Sequence, residues 1–255
     1  TIIRMIAGIF GSDAGRVSVL GAPSGIDVRR RVGYLPEEKG LYKKMTALDL
    51  LTYFARLKGV AVADARQRGA ALMQRYGLGD RVNARAETFS KGMQQKLQLL
   101  MTILHEPELL ILDEPFSGLD PVNMEMMRDM ILEQKQAGRT ILFSTHIMEQ
   151  AEKMCDHVCL IHKSRKILDG PLAEVKDAHS GGIILEYDGD GSFLNDLPNV
   201  SRVNNYARYA EIFLRDSAPP QELLRLIVDR LSVRKFEIAQ PSLHEIFVRN
   251  VKDAE

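Results

Sequence analysis

At 255 residues the chain is long enough for one large domain, or for a domain of ~150 residues with a small appendage. Lys plus Arg and Asp plus Glu both number 34, so the formal net charge is zero and nothing points to bulk nucleic-acid binding. No apolar run approaches the ~20 residues of a membrane span, and no basic-then-apolar leader opens the chain. A soluble protein is expected, with any membrane role coming through a partner. Cys155 and Cys159 stand without a Cys/His cluster, which fits a reducing compartment; they read as core thiols, with metal ligation the alternative.

Thr1 opens directly into Ile2, Ile3, Met5, Ile6, Ala7 and Gly8, an apolar helical pattern with no preceding cap and no initiating Met. It reads as the interior of a helix that begins upstream, so a fragment is expected. The turn-rich stretch 11–15 leads to Arg16–Leu20, whose alternation predicts a strand, and 21–25 reads as loop. Val32 to Leu35 is a second short strand, closed by Pro36. From Thr46 the period turns helical: Ala47, Leu50, Leu51, Phe54 and Leu57 share a face, Asp49 completes a capping box, and Gly59 ends the helix. Further helices run from about Ala63 to Tyr76 and from Ser90 through Leu97, Leu100, Met101 and Leu104. Residues 46–104 thus form an almost wholly helical lobe inserted between strands.

Leu109 to Leu112 suit a strand buried on both faces of a parallel sheet, with Asp113 and Glu114 delivered at its end. Two acids there suit a magnesium ion on nucleotide phosphates and a carboxylate for the attacking water; the plainer alternative is a solvated pair. Asp120 and Pro121 give a cap and a first-turn proline to a helix through Met124, Met127 and Ile131, ending at Gly138. Thr140 to Ser144 reads as the next buried strand, leading to Thr145 and His146, and Met148, Ala151 and Met154 mark another helix. Strand, helix, strand, helix predicts a doubly wound α/β sheet, in which ligands gather beyond the carboxyl ends of the strands. Asp113, Glu114 and His146 all fall at such ends.

His157 to Gly170 reads as strand, basic turn at Lys163–Lys166, and strand. After a reset around 178–182, short strands are expected at Ile183–Tyr187, around Val203, at Glu211–Leu214 and at Val233–Ile238. A helix from Pro220 to Leu231 and a last one started by the capping box Ser242/Glu245 complete a small α+β domain of ~70 residues.

Ser90 opens a helix, so free backbone N–H groups, a positive dipole end and a hydroxyl are offered to an anion, and Gly92 has no side chain to hold a phosphate away. An ordinary helix cap is the plainer reading. Phe89-Ser90-Lys91-Gly92-Met93 with Gln94-Gln95, then Leu112-Asp113-Glu114-Pro115, Ser117-Gly118-Leu119-Asp120 and Ser144-Thr145-His146, together resemble the nucleotide-binding subunit of ABC transporters. The resemblance covers residues 1 to about 175.

That resemblance implies a P-loop NTPase-like ABC ATPase core with the helical lobe at 46–104, and an accessory α+β domain at 180–255. It implies ATP and Mg2+ as ligands, with Asp113 holding the ion and Glu114 polarising the water that attacks the γ-phosphorus. His146 would reach the γ-phosphate, Asp120 would lie across a dimer seam, and Ser90, Lys91 and Gly92 would meet the ATP of the other subunit. The partners implied are a multi-span membrane permease and a second ATPase subunit in an ATP-dependent dimer, with no nucleic acid. The location implied is the cytoplasmic face of the membrane, reached through the permease. Pro241-Ser242-Leu243-His244-Glu245-Ile246-Phe247 is similar to the C-terminal appendage of ABC-2-type, sodium-exporter-like ATPases, and so is Pro36-Glu37-Glu38-Lys39-Gly40-Leu41-Tyr42; any well-capped amphipathic helix is the alternative for the former.

Three departures stand out. The phosphate loop G-x-x-x-x-G-K-[ST] is absent from these residues, and alignment to the family puts its end just before Thr1, which would lie near the α-phosphate. The chain as given is therefore expected to bind ATP poorly or not at all. Glu37 stands where the family commonly has the Q-loop glutamine, and would face the metal with a carboxylate. The signature reads Ser-Lys-Gly-Met rather than Ser-Gly-Gly-Gln. The leading function is the ATP-hydrolysing subunit of an exporter; the alternatives are a soluble non-transport ABC-type ATPase and a non-catalytic interaction or regulatory fragment.

Overall fold

The structure, a computed structural model, describes residues 1–23, 25–37, 40–179, 181–206, 208–215 and 218–253. They divide into two compact units, Thr1–His146 and Ile147–Glu255. Glu38 and Lys39 of the stretch beginning at Pro36, and Ser24 of the early loop, lie outside the described residues.

The first unit opens with α1 (Ile2–Ile6), as the apolar pattern predicts. The strand expected over Arg16–Leu20 shrinks to Ser18–Val19 (β1), because Leu20 and Gly21 turn at positive φ into Ala22–Pro23 (β2), a pair in what reads as loop. A six-residue helix, α2 (Ile26–Arg31), then leads into β3 (Val32–Leu35). Its last residue, Arg31, grips Glu108 with two bonds of 2.6 and 2.7 Å, the planar fork matching a carboxylate.

The helical lobe is present as α3 (Ala47–Leu57), α4 (Val62–Arg75) and α5 (Lys91–Ile103). Thr46 caps α3: its hydroxyl accepts from the Asp49 N–H at 3.2 Å and donates to the Asp49 carboxylate at 2.7 Å. Gly69 of α4 lies against Leu48, Leu51 and Leu104; a Cβ there would stand 3.2 Å from Leu48, so the glycine sets how closely the helices approach.

β4 (Leu109–Asp113) is the central strand of a parallel sheet ordered β3-β4-β5, where β5 is Thr140–Ser144. Leu110, Ile111 and Leu112 are fully buried, as their unbroken apolar run requires. β5 differs from its expectation as a buried strand. Among the described strands it pairs with β4 alone, and Leu142 stays 36 % exposed. Between β4 and β5 runs α6 (Pro121–Gln136), which turns over at Gly138 with φ +82°.

The second unit begins with α7 (Met148–Met154) and the hairpin β6 (His157–His162) and β7 (Arg165–Pro171), turned by Lys163 and Ser164 at positive φ. Cys155 is half-buried, whereas Cys159 is exposed on β6, where alternate residues turn outward; it is not a core thiol. A short helix, α8 (Leu172–Asp177), follows where no helical period was legible. Then come β8 (Ile183–Asp188), β9 (Val200–Asn205), β10 (Tyr209–Leu214), α9 (Pro220–Val228), β11 (Ser232–Ile238) and α10 (Leu243–Asp253). The strands form an antiparallel sheet ordered β11-β8-β10-β9, and Leu223 and Ile227 of α9 bury with Ile183, Leu185 and Ile212. α9 ends three residues before the expected Leu231. The Ser242/Glu245 box is realised, the Ser242 N–H donating to Glu245 at 2.7 Å and the Glu245 N–H to the Ser242 hydroxyl at 3.2 Å. No helix of the described residues is long and apolar enough to cross a membrane.

Candidate active site

The end of β4 builds a chain of polar contacts. In the β4/β5 register Asp113 faces Ser144, and the Ser144 hydroxyl donates to Oδ1 of Asp113 at 2.6 Å while accepting from the Glu114 N–H at 3.1 Å. Glu114 takes φ +48°, the left-handed region that non-glycine residues seldom adopt, which turns the chain sharply off the strand. Its Oε2 lies 2.9 Å from Nδ1 of His146. Ser144 thus joins Asp113 to Glu114, and Glu114 meets His146 directly, linking three of the sequence candidates; the bridging role of Ser144 was not revealed by its motif position alone.

The turn is held from the helical lobe. Gln95, buried on α5, donates its amide to the Pro115 carbonyl at 2.5 Å, and Phe116 is buried edge-on against Phe143 at 6.0 Å. Gln95 Oε1 is buried without a partner among the described residues, so its amide is committed to the turn at some cost. Burial, then the Asp113 carboxylate, pushes the Tyr34 hydroxyl of β3 above its ordinary pKa, while Arg4 works the other way.

A second group joins Ser90, Lys91 and Gly92 to Asp120. Ser90 caps α5, accepting from the Met93 N–H at 3.3 Å. Asp120 caps α6, accepting from the Asn123 N–H at 3.0 Å and its side-chain amide at 2.5 Å; these bonds hold the Asp120 carboxyl below its usual range. The two caps interlock through glycines. The Asn123 amide fills the space where a Gly92 side chain would stand, and the Lys91 ammonium fills the corresponding space at Gly118, which takes φ +66°. Thr1 occupies the N-cap position of α1 and is exposed, as is Glu37 beyond β3; among the described residues neither side chain makes a hydrogen bond or ion pair to these two groups. No cluster of three or more His, Cys, Asp or Glu gathers for a metal among the described residues.

Two family profiles match: "ABC transporter" over residues 1–117 and "ATP-binding protein DrrA1-3-like, C-terminal domain" over 170–251. The ABC transporter ATP-binding protein YhaQ of Bacillus subtilis is 38% identical over 252 residues, spanning 98% of this chain and 85% of its own. The chain belongs to the ABC transporter ATP-binding proteins. Other members similar to it are NatA of Bacillus subtilis, 37% identical over 70% of this chain and 74% of its own, and the Nod factor export ATP-binding protein I of Rhizobium etli, 32% identical over 98% and 79%. A solved ATP-binding subunit of an ABC transporter shares the fold with a TM-score of 0.63 and 33% identity, covering 69% of this chain and 75% of that one. As an ABC transporter ATP-binding protein, the chain has an α/β ATPase fold; members of the family bind ATP, typically with Mg2+, and work with membrane permeases.

Proposed function

We propose that this chain is the ATP-hydrolysing subunit of an ABC-2-type exporter, with residues 1–175 as the ATPase part and 180–255 as an accessory domain, acting at a seam between two such subunits. The observation that carries the reading is the contact chain Asp113–Ser144–Glu114–His146 at the carboxyl ends of two adjacent parallel strands. The export names of several relatives support the transport direction.

In this reading Asp113 holds Mg2+. Its Oδ1 accepts from Ser144 and the Tyr34 hydroxyl also bonds the carboxylate, so the group is held at the strand end for an ion that takes one or two carboxylates and fills its remaining positions with water and phosphate. The ion's contribution is to neutralise phosphate charge. Glu114, fixed by its backbone turn, orients water and takes its proton; Oε2 is steadied by His146, which as an imidazolium would donate from Nδ1 to Glu114 and from Nε2 to a γ-phosphate oxygen. Ser90 and the first N–H groups of α5 face the nucleotide of the other subunit, and Lys91 adds a positive charge beside them. Asp120 reaches across the seam. Glu37 adds a carboxylate near the metal, and Thr1 lies by the α-phosphate.

The test is ATP hydrolysis by the protein as encoded, with whatever residues precede Thr1, alone and with its permease. Hydrolysis that depends on Mg2+ and on Glu114 supports the proposal; ATP binding without turnover, with or without the permease, would leave it a binding or regulatory subunit instead.

A further inference from the structure

The second unit holds a cleft of about 850 Å³, within the range of small-molecule sites. Its charge runs against its surroundings. Across residues 147–255 acidic residues outnumber basic ones, 18 to 14, yet the cleft is lined by Arg202, Arg215 and Arg249 against a single carboxylate, Glu245. That carboxylate is itself engaged by the Ser242 N–H and hydroxyl.

Several cations elsewhere in the unit meet acids: Arg234 with Asp188, Lys235 with Glu237, Lys166 with Asp169 and Lys176 with Glu152. The three cleft arginines have no carboxylate partner among the described residues. Two are nevertheless held in place. The Arg202 guanidinium lies over the Phe213 ring at 4.3 Å, and Nε of Arg215 donates to the Val200 carbonyl at 3.2 Å. Stacking and a single backbone bond leave most of their N–H donors free. His179, also at the cleft, is spent on structure, with Nδ1 donating to the Val175 carbonyl and Nε2 accepting from Asn250.

We propose that this cleft binds a phosphomonoester, Arg202, Arg215 and Arg249 taking the phosphoryl oxygens and Phe213 and Ile246 supporting the rest of the ligand. Three guanidinium groups converging on one cleft match a dianion with three terminal oxygens better than a monoanionic carboxylate, and guanidinium geometry suits bidentate phosphate contacts. The phosphoryl group has two chemical sources, an anionic phospholipid or a water-soluble phosphorylated metabolite.

Isothermal titration calorimetry of the protein as encoded, with dihexanoyl phosphatidate in one arm and glucose 6-phosphate in the other, separates them. Saturable one-site binding of either is expected. Arg202→Gln and Arg249→Gln should each weaken it by about tenfold or more, the loss expected when a charged hydrogen-bond donor is removed. Arg225→Gln on α9, outside the cleft, should leave affinity within about twofold. Binding of phosphatidate alone identifies a lipid source, and binding of glucose 6-phosphate a soluble one. Thermal unfolding of each variant checks that the fold survives, and Arg249 on a helix gives a variant independent of the sheet. The proposal is overturned if neither probe binds, or if Arg225→Gln weakens binding as much as Arg202→Gln.

Discussion

Nδ1 of His146 lies 2.9 Å from Oε2 of Glu114, although 32 residues separate them in the chain. The glutamate side chain is 18% exposed and the imidazole 72%, so the pair presents a sheltered carboxylate and an open ring edge. If Glu114 is the general base as proposed and His146 steadies it, His146→Ala should lower kcat by ~10²-fold or more while changing KM for ATP by only a few-fold. Steady-state kinetics at saturating Mg2+ reads this split; an equal loss through KM alone would make His146 a simple binding residue.

Ser144 ties Asp113 to the Glu114 backbone. Ser144→Ala removes both contacts and leaves the Glu114 N–H without its acceptor, which should cost ~1–2 kcal/mol in urea unfolding. Because Asp113 loses its orienting donor, half-maximal hydrolysis should also need more Mg2+. An unchanged Mg2+ requirement would separate Asp113 from the metal.

Gly92→Ala would place a Cβ 2.6 Å from the Asn123 side chain. The amide must swing away, loosening its bond to Asp120 and the start of α6, at ~1 kcal/mol for a weakened cap. A double-mutant cycle with Asn123→Ala should show strong coupling, because once the amide is gone the added methyl has nothing to displace. Additive effects would mean that the two caps are independent.

Much of this architecture was legible because local chemistry and tertiary need agree. Asp120-Pro121 and Ser90 are read as caps and act as caps, and Leu109–Leu112 is buried as its run requires. α2 escaped because three arginines in six residues mask a buried anchor, Val28. β1 is shorter than its alternation suggests because the turn at Leu20 and Gly21 overrides propensity. Gln95–Pro115, Lys91 against Gly118 and the Ser144 bridge are pairings between distant segments, which no local period encodes. Only the last was within reach, since placing β5 beside β4 puts Ser144 opposite Asp113.

His105 gives the first unit a pH signature. Burial, assisted by Lys58, lowers its pKa from 6.5 to about 4, and its Nε2–H faces the Val32 carbonyl at 3.3 Å, which opposes the shift. The folded state thus binds the proton less well than the unfolded chain. Stability is fully present above pH 6.5 and is lost as pH falls from there toward about 4, by up to ~3 kcal/mol. Urea titrations across this window should show the decline, and His105→Gln should flatten it; an equal slope in the variant would assign the loss to other groups.

A catalytic seam shared by two subunits is tested most directly with Glu114→Gln in the protein as encoded, run with ATP and Mg2+ on size-exclusion chromatography with light scattering. A stable dimer retaining ATP is expected, with hydrolysis reduced to about one hundredth or less of the wild-type rate. A variant that stays monomeric with ATP bound, or that hydrolyses ATP as fast as the wild type, would contradict it.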